Sequence, residues 1–448
     1  PGSGTIGSLT VTGEYTGAGG TLEIEAELGA DGSLADRLIV GGATSGSTRV
    51  SVINRGGLGA QTVEGIKIID IAGASNGNFT LDGDYLFDGE QAVIAGAYGY
   101  RLYKNGIATP QDGDWYLRSA LLDGPGEPEG PLYQPGVPLY ENYGQVLQSL
   151  NGLPTLQERV GNRQWARADD GASTGIWGRM ESTRARPEAR VSTADTDANI
   201  DSWKMQIGVD RTLSESGNGT LVAGITGHYG ESNAAVRSTF GDGSIEAKAY
   251  GAGATLTWYH QGGFYADAQA QFAWFDGQLE SSVLGTLVDG NDGTGKAFSL
   301  EVGKRAVVGH GLTVTPQIQM SYQDAGFDSF TDPSGARVSS SRGDSLKSRW
   351  GISLDHQKSW QTDGTTRRSH LYGLVNLSYE WLDGTAADVS GTAIRNANDR
   401  LWGEIALGGS LGLNDRVTLY TQASASSPFR DFGDDYSIKG TAGVRVAF

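Results

Sequence analysis

The chain contains no cysteine, no long apolar run, and far fewer basic than acidic residues. Each absence excludes something. Without thiols there is no disulfide framework and no thiolate metal site, which suits a protein that crosses an oxidising compartment unfolded. A spanning helix needs about twenty consecutive, mostly apolar residues, and no window approaches that. The formal net charge of −18 disfavours nucleic acid as a partner, because phosphate contacts need clustered Lys and Arg. The histidines (His228, His260, His310, His356 and His370) are scattered, with no pair at metal-ligand spacing, so neither metal nor cofactor is expected. No Gly-rich nucleotide-binding loop occurs. The chain opens at Pro1 with no Met and no charged-then-apolar leader, and it reads as a fragment or processed product whose export signal lies upstream.

What is present points to β-structure. Gly accounts for 69 of the 448 residues and aromatics for 9%, a composition of turns and strands rather than of a helical enzyme. The length exceeds one ordinary core. A mean hydropathy of −0.32 would ordinarily indicate a soluble protein. A transmembrane barrel evades that inference, since only alternate residues of each strand meet lipid.

Three regions follow. In residues 1–122, Leu9-Thr10-Val11, Thr21 to Leu28 and Arg49 to Ile53 alternate with period two, and Ile66 to Ile71 is more continuously apolar. Strands without crossover helices fit a stacked β-solenoid, with an antiparallel sandwich as the competing reading. Residues 123–172 begin with a Pro-, Gly- and Glu-rich linker up to Pro138. From Leu139 to about Ala168 the spacing of Val146, Leu147, Leu150, Leu153, Leu156 and Val160 is helical. Gly152 and Pro154 divide it into two pieces with a bend. Arg159, Arg163 and Arg167 form a basic stripe; periodicity alone equally fits a solvated face, and the position just before a strand array favours the inside of that array.

Residues 173–448 hold about twelve strand candidates of a length suited to a barrel. In the fifth, Phe264, Ala266, Ala268, Ala270, Phe272 and Trp274 form one face, and Tyr265, Asp267, Gln269 and Gln271 the other. Trp203, Trp258, Tyr259, Trp274, Trp360 and Trp381 fit interfacial girdles. Connections alternate long and short: Arg184 to Ile200 then Ser214 to Gly219, Glu231 to Ile245 then His260 to Gly263, Asp276 to Thr294 then Gly309 to Gly311. Outer-membrane barrels keep this rhythm, with long loops outside and short turns in the periplasm. Gly343-Asp344-Ser345-Leu346 matches an esterase motif, but it falls in a predicted loop without a His and an acid to activate the serine. The overlapping Arg342-Gly343-Asp344 is an integrin-type tripeptide on the side expected to be extracellular.

Ala35-Asp36-Arg37-Leu38-Ile39-Val40-Gly41-Gly42, Glu64-Gly65-Ile66-Lys67-Ile68-Ile69-Asp70 and Gly113-Asp114-Trp115-Tyr116-Leu117-Arg118-Ser119 resemble the closing rungs of pertactin-like passengers. Trp177, Gln206-Ile207-Gly208-Val209-Asp210, Phe264-Tyr265-Ala266-Asp267, Glu301-Val302-Gly303, Thr315-Pro316-Gln317 and Gly443-Val444-Arg445-Val446-Ala447-Phe448 resemble the barrel of type V autotransporters. The resemblance implies an all-β chain: a 12-stranded antiparallel transmembrane barrel with an internal pore helix, preceded by β-helix rungs that cap and chaperone a passenger. It implies a non-enzymatic outer-membrane translocator, with an adhesin or an upstream enzyme as alternative cargo. Arg159 and Arg163 would then face lumen carboxylates such as Asp210, Asp267 and Glu301, and Phe448 would be read by the outer-membrane assembly machinery. Lipid, that machinery, periplasmic chaperones and a host surface are the expected partners of a monomeric barrel. Relatives cut inside the barrel use adjacent Asn residues, whereas Asn142, Asn151 and Asn162 stand alone.

Overall fold

A computed structural model describes residues 6–121, 129–161, 174–309, 311–362, 365–414, 416–430 and 433–448. Ser8–Val11, Arg37–Val40 and Ile66–Ile71 stack in parallel, and Tyr15–Ala26, Thr44–Asn54 and Asn78–Asp82 form a second parallel stack. Ser8 lies beside Arg37 and Leu38 beside Ile69, so one turn takes about thirty residues, as in a β-solenoid. Ile24, Leu38, Val50, Ile68 and Ile69 fill its interior. Parallel pairing disposes of the sandwich. An open solenoid end would expose unpaired strand edge; here Trp115–Arg118 runs antiparallel to both Ile66–Ile71 and Tyr98–Lys104, and Glu90–Ala95 and Tyr85–Phe87 complete the cap.

Helix α1 (Val137–Asn151) and helix α2 (Leu156–Val160) come next. Pro138 sits in the first turn of α1, where its missing N–H costs nothing. Gly152 takes an extended conformation that ends α1, and Thr155 caps α2 through a reciprocal pair of bonds with Glu158. The expected bend is present. Gly161, at φ +62°, closes α2 after Val160; the rest of the expected helical run, residues 162–168, lies outside the described residues.

Twelve long strands follow: β1 (Thr174–Arg186), β2 (Asp197–Ser216), β3 (Gly219–Arg237), β4 (Gly243–His260), β5 (Phe264–Ser281), β6 (Gly285–Lys304), β7 (Leu312–Phe327), β8 (Asp344–Thr362), β9 (Thr365–Glu380), β10 (Leu401–Gly412), β11 (Val417–Pro428) and β12 (Tyr436–Ala447). Each pairs antiparallel with the next, and β12 returns to β1 from Gly175↔Ala447 to Arg186↔Tyr436. Closure satisfies the backbone groups that lipid cannot.

Side-chain polarity reverses once along β2 to β6. On β5, Phe264 to Trp274 point outward and Tyr265 to Gln271 inward, as the sequence suggests; beyond Trp274, exposed Asp276 and Glu280 face out while Phe275 and Leu279 are buried. On β3, Ile225 and Tyr229 face out below, whereas Asn233 and Arg237 do so above, with Ala234 and Val236 inside. Phe264 to Trp274 covers about 33 Å along the strand, or roughly 25 Å when tilted, the height of a bilayer's apolar band. The level of Trp203, Tyr229, Tyr250 and Trp274, whose rings contact one another in pairs, marks its outer edge. Above it the barrel is an ordinary core, apolar inside.

This reversal corrects the loop reading. The links expected at Glu231 to Ile245 and Asp276 to Thr294 are mostly strand, leaving turns of residues 238–242 and 282–284. Polarity assigned by an apolar-out rule ended those strands where the rule inverts. Tyr259 is corrected too: it is buried and faces the lumen, not the girdle. Segments from the remaining outer connections, Ala189–Ser192, Thr392–Asn398, Thr385–Val389, Arg337–Arg342 and Phe330–Thr331, form a five-stranded sheet above the membrane. It meets β2 at the Glu188↔Asp197 bridge and β6 where Asp328 N–H donates to the Asp292 carbonyl. Strand extensions and outer sheet together enclose α1.

Candidate functional site in the barrel lumen

Two helical pieces occupy the lumen, held by different chemistry. Helix α1 lies in the upper, apolar storey. Leu139, Tyr143, Val146, Leu147 and Leu150 are buried with Ala234, Val236, Ile245, Phe275 and Leu279 of the wall and Val338, Val389 and Ile394 of the outer sheet. Burying each large side chain contributes about 1.5–3 kcal/mol. Glycines admit close approach: a Cβ on Gly277 would meet Tyr143 Oη at 1.9 Å, and one on Gly243 would meet Leu139 Cδ1 at 2.8 Å.

Polar residues of α1 register it against the loops. Tyr140 Oη donates to Asp332 at 2.7 Å and Gln148 Nε2 to the Gly343 carbonyl at 2.8 Å. Glu141 accepts from the Ala194 N–H at 2.7 Å, the Thr196 hydroxyl at 3.1 Å and the Ser192 hydroxyl. These partners lie beyond the girdle, outside the bilayer. Burial pushes the Glu141 carboxyl up to about 7, the donors from Ser192, Ala194 and Thr196 pulling the other way.

The junction is polar. Lys204 Nζ donates to the Gly152 carbonyl at 2.5 Å, a cation at the C-terminal end of α1. Gln269 and Gln319 both donate to the Pro154 carbonyl, at 2.8 and 3.3 Å, and Asn151 Nδ2 reaches the carbonyls of Lys296 and Asp324.

Around α2 the lumen is charged. Arg159 is fully buried; its guanidinium pairs with Asp267, donates to Thr257 Oγ1 at 3.2 Å and lies 6.0 Å from the Trp177 ring centre. Thr257 and Gln269 also donate to Asp267, at 2.6 and 3.0 Å. Glu301 accepts the Leu156 N–H at 3.1 Å and Tyr265 Oη at 2.7 Å, and pairs with Arg349 at 3.4 Å. Glu158 pairs with Lys439, and Tyr420 Oη donates to the Arg159 carbonyl at 2.6 Å. A lone charge in such a lumen would be costly; paired and hydrogen-bonded, these are not.

Of the residues singled out from sequence, Arg159, Asp267 and Glu301 therefore meet at α2, with Asp210 buried nearby and acting on Arg159 electrostatically. Arg163 and Arg167 lie outside the described residues. Phe448 donates its N–H to the Thr174 carbonyl at 3.0 Å, fixing the seam at the turn end of the barrel, and its side chain is exposed. The Arg342-Gly343-Asp344 run is not on a projecting loop: Arg342 closes an outer strand, Asp344 opens β8, and the buried Gly343 carbonyl accepts from Ala325 N–H at 3.0 Å as well as from Gln148. Ser345 donates to Glu380 at 2.6 Å, a wall contact. Sequence reasoning missed Glu141, Lys204, Arg349, Tyr420 and Lys439. Strand parity carries the signal for the last: with Ile438, Val444 and Val446 outward, Lys439 and Arg445 must point inward.

Comparison with known proteins agrees with this geometry. The model of the autotransporter beta-domain matches residues 176–424, and that of the type 1 autochaperone domain matches residues 1–102. The adhesin BmaC autotransporter of Brucella suis biovar 1 (strain 1330) is 47% identical over 98% of this chain, and the probable autotransporter YfaL of Escherichia coli (strain K12) is 30% identical over 92%. The chain spans only 14% and 33% of those two proteins. The transport unit of the autotransporter AIDA-I from Escherichia coli has the same fold, with a TM-score of 0.58 at 16% identity over 70% of this chain and 100% of that one.

Proposed function

This chain belongs to the autotransporter family, and we propose that its barrel, an outer-membrane translocator, displays a passenger whose last rungs are residues 6–121. The observation that carries the reading is the lumen. A barrel with an outward apolar band holds, inside it, the very segment that joins the solenoid to the first strand, and that segment's charges are matched by the wall. A diffusion porin has no use for such a connection. The solenoid is at the α1 end of the barrel, next to the outer sheet, which supports reading residues 6–121 as lying outside the cell. Folding there would draw the passenger out, since no nucleotide-binding loop supplies energy.

The antiparallel cap is read as a chaperone for upstream rungs. Deleting residues 1–122 should leave the barrel inserted and slow the display of a longer passenger; normal display from the truncated form would refute the role. BmaC and AIDA-I are named as adhesins, which favours adhesion over enzymatic cargo for the complete protein. Binding of purified residues 1–121, joined to the upstream passenger, to host cells decides that question. Lipid, the assembly machinery reading Phe448 and periplasmic chaperones are the proposed partners, and no catalytic role is assigned.

A further inference from the structure

An aromatic side chain on an extracellular turn is normally either exposed or covered by a partner. The turn between β3 and β4 carries Phe240, and that between β5 and β6 carries Leu284. Leu284 is partly covered by the solenoid cap, and Phe240 is covered by the cap together with Tyr133 of the segment leading into α1. Phe240 is buried between Phe87, whose ring is stacked at 6.4 Å, and Tyr133, edge-on at 5.4 Å. Leu284 packs with Tyr85, Ala92 and Ile94 of the same cap.

The rim holds these residues in place with the barrel's own bonds. Phe240 N–H donates to Ser238 Oγ at 3.2 Å, Ser238 Oγ donates to the Ala194 carbonyl at 2.6 Å, and Ser282 N–H and Oγ both donate to the Asp242 carbonyl, at 3.0 and 2.8 Å. The turn is thus built without the cap. The cap is joined to the lumen segment by Gly99 N–H to the Leu132 carbonyl at 2.9 Å and Gln134 N–H to the Ala97 carbonyl at 3.0 Å.

We propose that this rim is a folding template for the passenger's end: Phe240 and Leu284 receive Tyr85, Phe87 and Ile94 as they leave the pore, so that the antiparallel cap forms on the barrel before any rung stacks on it. The inference rests on the reading that residues 6–121 lie outside. Because the lumen holds α1 and α2, the cap, with residues 129–134 bonded to it, is the first part of the passenger to clear the exit. An isolated hairpin is marginal in water and needs a further apolar surface. A preformed surface tethered at the exit offers that surface at high effective concentration. Docking then leaves the edge of Trp115–Arg118 aligned for Ile66–Ile71, the pairing that starts the parallel stack.

The test uses the full chain expressed in cells, following two readouts: appearance of a protease-resistant fragment covering residues 6–121 on intact cells, and heat-modifiable migration of the barrel. Phe240→Ala should slow the first about three- to tenfold, the range of a stacked pair, and leave the second unchanged. Leu284→Ala should do the same, and Phe240→Leu should slow it less. Phe87→Ala with Phe240→Ala should be no slower than the worse single variant. Wild-type rates in Phe240→Ala and Leu284→Ala, or strictly multiplicative effects of Phe87→Ala and Phe240→Ala, would overturn the template role alone. Should external protease never reach residues 6–121 of the unaltered chain even when they are unfolded, the surface reading falls and this one with it.

Discussion

Replacing Asp267 by alanine tests how α2 is held. The change removes the ionic partner of Arg159, whose guanidinium is fully buried and, among the described residues, keeps Thr257 Oγ1, at 3.2 Å, and the face of Trp177. Taking one partner from a buried pair costs about 3–5 kcal/mol, because the other charge stays desolvated. Asp210 and Glu301 still attract Arg159 from further off, so the lower end of that range is expected. At about 1.4 kcal/mol per factor of ten, the balance between a seated and a displaced α2 shifts by roughly a hundredfold. Planar-bilayer recordings of purified protein should show wild type passing little current and Asp267→Ala opening frequently. The double variant Arg159→Met, Asp267→Ala removes both charges and keeps side-chain volume at the helix, so it should close again. If Asp267→Ala is as quiet as wild type, or the double variant as leaky as the single one, the ion pair is not what seats the helix.

Three further outcomes follow from the same geometry. The Glu141 carboxyl is pushed by burial up to about 7, above its unfolded value, so the folded state binds the extra proton between about pH 4.5 and 7 and stability falls as pH rises through that window, by up to about 3 kcal/mol. Thermal unfolding in detergent at pH 5 and pH 8 should show this difference, and Glu141→Gln should flatten it; equal slopes would remove Glu141 from the account. Gly277→Ala places a Cβ 1.9 Å from Tyr143 Oη and 2.7 Å from its ring carbon Cζ, an overpacking of about 1–3 kcal/mol that should speed protease release of residues 129–161, with Tyr143→Leu in the same chain relieving it. Deleting Phe448 takes away the bond to the Thr174 carbonyl and the exposed terminal aromatic, and should lower the fraction of chain recovered as heat-modifiable barrel.

Where one rule holds along a segment, the fold was legible in the sequence. Phe264 to Trp274 against Tyr265 to Gln271 announces a strand between lipid and water, and Gly152 with Pro154 announces the bend between the helices. Legibility ends where the rule changes. Above Trp274 alternation continues with opposite sense, so Asp276 and Glu280 read as loop although they lie on β5. Gly161, at φ +62°, closes α2 directly after Val160, an end that the four-residue spacing of Arg159, Arg163 and Arg167 does not announce; Arg163 and Arg167 lie outside the described residues. The contacts of Lys439 with Glu158 and of Tyr420 with the Arg159 carbonyl join strands at the end of the chain to a helix far upstream. No local pattern encodes such meetings; only barrel closure brings them about.

The polarity reversal also explains why the segment in the lumen needs two helices rather than one. In the upper storey a helix can be seated as in any soluble core, by Val146, Leu147 and Leu150 against Ile245 and Leu279. At membrane depth the same solution fails, because the outward positions are taken by apolar residues and the inward ones are Asp267, Gln269, Gln271 and Glu301. A helix there must bring charge and bare N–H groups, which is what Arg159 and the first turn of α2 supply to Asp267 and Glu301. A single continuous helix would keep its own N–H and C=O groups paired through the level of Pro154. Breaking the helix at that point frees the Gly152 and Pro154 carbonyls for Lys204, Gln269 and Gln319. The bend is therefore the place where apolar seating hands over to polar seating.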